Sequence, residues 1–287
     1  MNGVIAALRA NRKQIGSSFA VESIVEFPLD YYLLSEIVSE LAFDLVSQHT
    51  RARPVAVKLD LGLTQTLLDL ALLEAEIPHL CLSTCLSASQ TTRALDAHGA
   101  QALYEGTPCR TVNYIINSDI GLSSDTTRIN FNSASTGNPK GQCFAARYIM
   151  AMAERVARSV ERGRGQRHLA LLPPDNLAET ISGLYSTILT GGTYVVPPRA
   201  MVGLAHPSRP DFALMVKMIS EWRITSLILS PELLFGLVRA LEASCERLPL
   251  LTIVEVIGTD VPPTLITSAQ ALGMPLDERT IGAQLVW

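Results

Sequence analysis

The residues best equipped for chemistry lie in one short loop, residues 133–141. A strand-like stretch, residues 128–132, precedes the loop, and a long helical pattern follows it. The loop offers hydroxyls, glycines and one lysine, namely Ser133, Ser135, Thr136, Gly137, Lys140 and Gly141. Backbone N–H groups, hydroxyls and an ammonium group that converge in this way bind an anion, and a phosphate fits them best.

The loop is not a Walker A motif, because the spacing G-x-x-x-x-G-K-[ST] is absent. Its physical content is still specific. Gly137 and Gly141 permit a positive φ and a close approach of the backbone. Pro139 stiffens the turn before Lys140, whose ammonium group acts as a point charge. On composition alone, an ordinary strand-to-helix turn with an exposed lysine explains the loop equally well.

The bulk composition narrows the class of protein. The chain has 287 residues, 48% apolar and 17% charged, which is typical of one large or two modest α/β domains. A net charge of −4 argues against the positively charged surface that nucleic-acid binding requires. We expect no membrane span and no signal peptide, because no apolar run reaches ~20 residues and charges interrupt residues 1–18. Five cysteines without a repeated C-x-x-C pattern argue against a zinc site and favour the cytoplasm.

Helical and strand-like patterns alternate along the chain, which predicts parallel β-α-β units. The i, i+3, i+4 spacing of an amphipathic helix is clear in residues 32–46, for example. The polar stretch 116–127 is a predicted linker. We therefore expect an α/β fold of two successive subdomains, residues 1–120 and 121–287, each with a mostly parallel sheet flanked by helices.

Outside the loop, the chemically capable side chains have structural explanations. His168 precedes a strand-like run and is predicted to be a structural histidine. Glu179 stands at a helix start and is either a surface carboxylate favoured by the helix dipole or a pocket residue, of which we favour the former. Cys143 is predicted to be a small buried residue, since no histidine is near it in sequence. A turn aspartate such as Asp260 is explained by local hydrogen bonding as well as by a site.

The loop resembles a known signature. Residues 133–141 are similar to the S-G-[ST]-T-G-x-P-K-G motif of the adenylate-forming superfamily, which contains acyl-CoA synthetases, nonribosomal peptide adenylation domains and luciferases. Ala134 stands where that family usually has glycine, and Asn132 where threonine is common. The resemblance continues in order along the chain, for example at the L-x-G-G-T turn of residues 189–193 and at residues 257–262, which are similar to a G-G-A-P-L-P turn.

This resemblance implies an activity and a set of site residues. The chain would use ATP and Mg²⁺ to convert a small carboxylic acid into an acyl-adenylate, and a second step could pass the acyl group to the thiol of CoA or of phosphopantetheine on a carrier protein. Lys140 and Thr136 would be catalytic, and the other loop residues would hold the phosphates. Gly258 and Thr259 would approach the adenine and the acyl group. The residues implied for the acid are Asn176, Thr180 and Gly183, and no residue is assigned to a metal.

The departures from the family pattern keep two alternatives open. Residues 281–287 stand where the family has an aromatic-G-x-T-E motif, and the aromatic, threonine and glutamate are all replaced. The family's ribose-binding aspartate, hinge and small C-terminal domain with its lysine have no counterpart, so the sequence is expected to be the large-domain portion. It could be a non-catalytic homologue that binds nucleotide, or it could pair with a separate chain that supplies the C-terminal half.

Overall fold

Helices and strands alternate in the computed structural model, which describes residues 3–106, 109–114, 122–132, 140–159, 166–206, 208–258 and 261–276. The first half contains α1 (Gly3–Ile15), β1 (Phe19–Glu22), β2 (Leu29–Asp30), α2 (Tyr31–Gln48), β3 (Val55–Lys58), α3 (Leu63–Ala75), β4 (His79–Cys81), α4 (Ala88–His98), β5 (Ala102–Glu105), β6 (Arg110–Asn113), β7 (Thr126–Asn132) and β8 (Lys140–Ala145). The second half contains α5 (Ala146–Ser159), β9 (Arg167–Leu169), a π-helix (Glu179–Tyr185), α6 (Ser186–Thr190), β10 (Thr193–Val195), a 3₁₀ helix (Arg199–Val202), α7 (Phe212–Glu221), β11 (Ser226–Leu229), α8 (Pro231–Ser244), β12 (Ile253–Val256) and α9 (Pro263–Ala271). The expected α/β class is confirmed.

The chain forms two compact units, each assembled from separate stretches of sequence. The described residues of the first unit fall within Met1–Ser18, Leu29–Arg155 and Pro173–Leu177. Those of the second unit fall within Phe19–Pro28, Val156–Leu172 and Ala178–Trp287. The short stretch Pro173–Leu177, called the 173–177 segment below, therefore makes its contacts with the first unit although the residues on both sides of it belong to the second.

The sheet of the first unit is mixed, with strand order β6-β5-β3-β4-β7-β8. The inner neighbours are parallel, whereas β5 with β6 and β7 with β8 are antiparallel. Strand β7 buries Ile129 and Phe131 in an apolar cluster with Leu80 and Leu103. Because side chains alternate along a strand, Arg128 and Asn130 lie on its other face.

In the second unit, strands β12, β11, β9, β10 and β1 lie side by side in that order and their pairings are parallel. Every residue of β11 is buried, as expected for a parallel strand covered by helices on both faces. Leu227 and Leu229 of this strand pack in one apolar cluster with Leu237 of α8 and Val216 of α7.

The predicted boundary at residue 120 differs from this division in three places, one of which is the 173–177 segment. Strands β7 and β8 come from the predicted second subdomain, yet they belong to the first unit because β7 pairs with β4. Strand β1 belongs to the second unit because Val21 pairs with Tyr194. Both pairings join residues that are far apart in sequence, so local patterns do not reveal them.

The element after the loop also differs from the prediction. The sequence predicted a helix over residues 148–161 after the loop and no strand before it, but residues 140–145 form β8, and α5 begins at Ala146. Phe131 pairs with Gly141 and Asn132 with Lys140, so residues 133–139 connect two antiparallel strands. The loop is therefore part of a β-hairpin and is not a strand-to-helix turn.

Helix ends follow the signals in the sequence. Asp211 caps α7 by accepting a hydrogen bond from the Leu214 N–H at 2.9 Å, and aspartate is one of the residues that favour this position. Gly99 and Gly191 end their helices with φ of 61° and 76°, which a glycine adopts without strain. Within the described ranges, no helix combines the length and the hydropathy that crossing a membrane requires.

Candidate nucleotide and acid site

The predicted phosphate loop is framed by the β7–β8 hairpin. Ser133, Ser135, Thr136 and Gly137 lie outside the described residues, and so does the side chain of Lys140. The backbone of Lys140 opens β8 opposite Asn132. The structure therefore defines the two strands, β7 and β8, that hold both ends of the loop at one edge of the sheet.

Gly141 has a packing explanation. A Cβ atom at this position would overlap the imidazole ring of His98. That ring is buried, and its Nδ1 lies 2.9 Å from the carbonyl oxygen of Ala94. It also meets Phe131 edge to face, with ring centroids 6.1 Å apart. Glycine at 141 is thus required by the contact between α4 and the hairpin, independently of any phosphate.

Strand β7 carries a buried polar row on the face opposite its apolar residues. Arg128 is fully buried, and its Nη1 donates to Asp69 Oδ2 at 2.7 Å. Its Nε donates to Asn130 Oδ1 at 3.1 Å. Asp69 on α3 supplies the negative charge that a buried guanidinium requires. Together, these contacts hold the charged end of Arg128 in one position.

The same row reaches the 173–177 segment. Arg128 Nη2 donates to the carbonyl oxygen of Pro174 at 2.6 Å, and Asn130 Nδ2 donates to that of Asp175 at 3.0 Å. Within the segment, the Asn176 N–H donates to the carbonyl oxygen of Pro173 at 2.9 Å and closes a turn. Asn176, predicted to contact the acid, is half-buried in this turn.

A cluster of three potential metal ligands lies beside Arg128. Donor atoms of Asp69, His79 and Cys81 are all within 4.8 Å of one another, and all three residues are buried. Burial alone would lower the pKa of His79, but hydrogen bonds to Asp69 and Cys81 raise it to about 9. The trio does not fit Mg²⁺, because Mg²⁺ prefers oxygen ligands and the Arg128 guanidinium already supplies positive charge 3.4 Å from His79 Nε2. No step of the chemistry is therefore assigned to a metal held here.

The second unit contains its own buried polar network, centred on Glu179. Glu179 Oε2 accepts hydrogen bonds from the N–H groups of Leu171 and Leu172 at 3.3 and 3.0 Å. Its Oε1 lies 3.1 Å from His168 Nε2 and accepts from the Tyr194 hydroxyl at 3.2 Å. The prediction that Glu179 is a surface carboxylate is wrong, since only 1% of the residue is exposed.

His168 is fully buried, as expected of a structural histidine. Its Nδ1 lies 2.8 Å from Ser226 Oγ, so Ser226, His168 and Glu179 are ordered like a hydrolase triad. Burial of all three removes the serine from any substrate in solution. The hydrogen-bonded series Ser226–His168–Glu179 therefore links β11, β9 and the π-helix and is not a hydrolytic centre.

Thr180 and Gly183, predicted to contact the acid, both lie in the π-helix and are buried. A Cβ atom at Gly183 would lie 2.5 Å from Glu179 Oε1 and 2.8 Å from His168 Nε2. Gly183 is thus needed for close packing on the Glu179 network. A π-helix is often found at functional sites.

Gly258 follows β12 with φ of +137°, a conformation that side chains rarely adopt. A Cβ atom there would lie 3.2 Å from Cγ of Pro231. A glycine is required at this turn, which is compatible with close approach of a ligand to the backbone. The neighbouring Thr259 lies outside the described residues.

Sequence reasoning missed Asp69, Arg128 and Asn130. The signal was present in β7, where polar residues 128, 130 and 132 alternate with apolar residues 129 and 131. Such alternation is usually interpreted as one solvent-facing side, and only the tertiary structure shows that Arg128 and Asn130 are buried. The prediction that Cys143 is buried is also wrong, because the residue is exposed on β8.

Two α/β units, with the signature loop between antiparallel strands of the first unit, are the architecture of the large N-terminal domain of adenylate-forming enzymes. The sequence profile of the family described as "AMP-binding enzyme" matches residues 117–279, and the chain belongs to that family. A comparison with curated protein sequences gave no match.

Solved structures show the same fold. The nonribosomal peptide synthetase FmoA3 (S1046A) in its AMPPNP-bound form superposes with a TM-score of 0.79 at 20% identity, covering 94% of this chain and 30% of that one. The N-terminal domain of FACL13 from Mycobacterium tuberculosis gives 0.77 at 15% identity, with 96% and 74% covered. The N-terminal subdomain of Klebsiella oxytoca NpsA with 3-hydroxybenzoyl-AMSN gives 0.73 at 20% identity, with 95% and 70% covered. The chain thus spans less than a third of the length of FmoA3.

Proposed function

We propose that this chain binds ATP and a small carboxylic acid and joins them as an acyl-adenylate, with release of pyrophosphate. The observation that carries the proposal is the family match over residues 117–279, which includes the signature loop and the hairpin that frames it. FmoA3 has been solved with AMPPNP and with α-methyl-L-serine-AMP, which represent the nucleotide and the adenylate of this reaction in that protein.

The chemistry needs positioning and charge stabilisation more than a nucleophilic side chain. An oxygen of the carboxylate attacks the α-phosphorus of ATP, the bond from that phosphorus to the bridging oxygen breaks, and the electron pair leaves with pyrophosphate. In our proposal, Lys140 neutralises the charge that develops and the Thr136 hydroxyl donates to a phosphate oxygen. Ser133, Ser135, Gly137 and Gly141 would complete the cradle for the β- and γ-phosphates.

The other substrate contacts are proposed at two places. Gly258 and Thr259 would face the adenine and the acyl group, which the φ of Gly258 supports by keeping a side chain out of that turn. Asn176, Thr180 and Gly183 would line the path of the acid. Asn176 is the least buried of these three, so it is the best candidate for direct contact.

Further partners follow from the same proposal. ATP would be supplied as its Mg²⁺ complex, and the acceptor of the acyl group would be CoA or the phosphopantetheine thiol of a carrier protein. A cytoplasmic location is supported by the cysteines of the described residues, which form no disulfide with one another.

A non-catalytic role is the rival proposal. The replacement of the aromatic-G-x-T-E motif by residues 281–287 removes the glutamate that serves the metal in the family. On this proposal, the chain would bind nucleotide without turnover or pair with a separate C-terminal chain. The retained Lys140 and its loop are expected to preserve nucleotide binding in either case.

Exchange of labelled pyrophosphate into ATP, measured with a broad panel of carboxylic acids, distinguishes these proposals. We expect exchange that depends on one class of acid and that falls about 100-fold or more in Lys140→Ala, since a lost charge contact in the transition state costs that much. Lys217→Ala is the matched control, because Lys217 is an exposed lysine on α7, and it should leave exchange unchanged.

The absence of exchange with every acid would reject the stand-alone enzyme. In that case, a rise in melting temperature with ATP would support the non-catalytic binder. If ATP left the melting temperature unchanged as well, nucleotide binding by this chain would be rejected.

A further inference from the structure

Two consecutive carbonyl groups of the 173–177 segment are held by side chains of one strand. Pro174 and Asp175 offer these carbonyl oxygens, and Arg128 and Asn130 donate to them at 2.6 and 3.0 Å. Residues two apart on a strand point to the same face, so the two donors lie on one face of β7. We call Arg128 and Asn130 the anchor pair.

The two prolines limit the hydrogen-bond donors of the segment. Residues 173 and 174 are prolines and have no N–H group, and the carbonyl of Pro173 is used by the N–H of Asn176 inside the turn. The carbonyl oxygens of Pro174 and Asp175 are the two backbone groups of the segment that Arg128 and Asn130 hold.

The anchor pair is itself held rigidly. Asp69 fixes Arg128 Nη1 at 2.7 Å, and Asn130 Oδ1 accepts from Arg128 Nε at 3.1 Å. That second bond also orients the Asn130 amide, because its oxygen faces Arg128 and its Nδ2 must then point away, toward Asp175. Arg128 and Asn130 are 0% and 5% exposed, so water does not compete for these bonds.

The anchor pair lies on the strand that leads directly into the loop of residues 133–139. Asn130 is two residues before Asn132, where β7 ends. We propose that Arg128 and Asn130 are positioning residues that hold the 173–177 segment in register with this strand, and so set the affinity for the carboxylic acid. The second part of this inference rests on the proposed function, because it assumes that Asn176 faces the acid.

Asn130→Asp tests the inference with minimal change of shape. The variant keeps an oxygen to accept from Arg128 Nε, but it replaces the Nδ2 donor with an oxygen that repels the carbonyl oxygen of Asp175. Asn113→Asp is the matched control, since Asn113 is an exposed strand residue of the same sheet. Three quantities are measured on the full chain: deuterium uptake of residues 171–180, the Michaelis constants for acid and ATP in pyrophosphate exchange, and the melting temperature.

For Asn130→Asp, we expect faster deuterium uptake at residues 175–177 and a Michaelis constant for the acid at least about tenfold higher, since displaced positioning groups have effects of this size. The Michaelis constant for ATP should stay within about threefold, because uniform loss of structure would change both constants together. Asn113→Asp should change neither. Arg128→Lys should show the same pattern more strongly, because one ammonium cannot donate to Asp69, Asn130 and Pro174 together.

The outcomes separate this inference from the proposed function. Unchanged deuterium uptake in both variants would overturn the anchor, and so would a lower melting temperature with both Michaelis constants affected equally. If the wild-type chain itself shows no pyrophosphate exchange, the proposed function fails. Even then, faster uptake at 175–177 supports the anchor and unchanged uptake rejects it.

Discussion

The two units hold the backbone on either side of Pro173 by opposite means. In the second unit, the carboxylate of Glu179 accepts hydrogen bonds from the N–H groups of Leu171 and Leu172. In the first unit, Arg128 and Asn130 donate to the carbonyl groups of Pro174 and Asp175. The difference lies in the groups that the backbone presents: Leu171 and Leu172 present N–H groups to Glu179, whereas Pro174, which has no N–H group, and Asp175 present carbonyl oxygens to Arg128 and Asn130.

The two networks also balance charge differently. Arg128 is neutralised by a carboxylate, Asp69, so the first network contains a buried ion pair. Among its described contacts, Glu179 is surrounded by hydrogen-bond donors, namely two backbone N–H groups, the Tyr194 hydroxyl and the His168 ring. Removing one partner of a buried ion pair leaves the other charge buried and unpaired. The stability of a carboxylate with several donors depends instead on how closely those donors pack around it.

Arg128→Met gives the largest expected effect. The substitution leaves Asp69 buried without its guanidinium, and we expect a loss of about 3–5 kcal/mol in the free energy of unfolding, measured in urea. The double variant Arg128→Met/Asp69→Leu should recover part of this loss, because it removes both charges. Arg110→Met is the control: its ion pair with Glu105, 2.9 Å long, involves an arginine that is 72% exposed, and its loss should cost within about 1 kcal/mol. Equal losses in Arg128→Met and Arg110→Met would contradict the distinction between buried and exposed pairs.

Gly183→Ala is expected to disturb the second network at intermediate cost. The new methyl group would lie 2.5 Å from Glu179 Oε1, so the carboxylate or the π-helix must shift. We expect about 2 kcal/mol of destabilisation, which is typical of overpacking. Gly62→Ala is the control, because no atom lies within 4 Å of its Cβ position. A Gly183→Ala protein as stable as Gly62→Ala would show that the Glu179 network is loosely packed.

The pH dependence of stability that His79 of the first network confers is the smallest expected effect. The pKa of His79 is raised from 6.5 to about 9 in the folded chain. The contribution of His79 to the free energy of unfolding is therefore fully present below pH 6.5 and is lost as the pH rises toward 9. Three groups face the ring: Asp69 of α3, Cys81 of β4 and Arg128 of β7. Because Arg128 opposes a second positive charge, we expect a loss of about 1–2 kcal/mol between pH 6.5 and 9. Urea unfolding of wild type and His79→Gln over this range checks it, and parallel pH profiles would refute the assignment.

Much of the local structure could be predicted from the sequence. Asp211 and Gly99 mark helix ends because caps depend on residues within one turn of each other. The signature at residues 133–141 identified the family for the same reason, since its residues act together within one loop. Burial could not be predicted in this way. Glu179 looked like a surface carboxylate because its partners His168 and Tyr194 are 11 and 15 residues away.

By itself, the sequence determined the α/β alternation, the phosphate-loop signature and membership of the adenylate-forming fold, because these depend on short-range spacing. Only the tertiary structure decided that the loop belongs to a hairpin and that β1 joins the second unit. It also decided that Arg128 reaches Asp69 across 59 residues of sequence and Pro174 across 46. The physical reason is that a buried charge or a bare carbonyl group needs a partner, and which residue supplies it depends on where the chain returns in space.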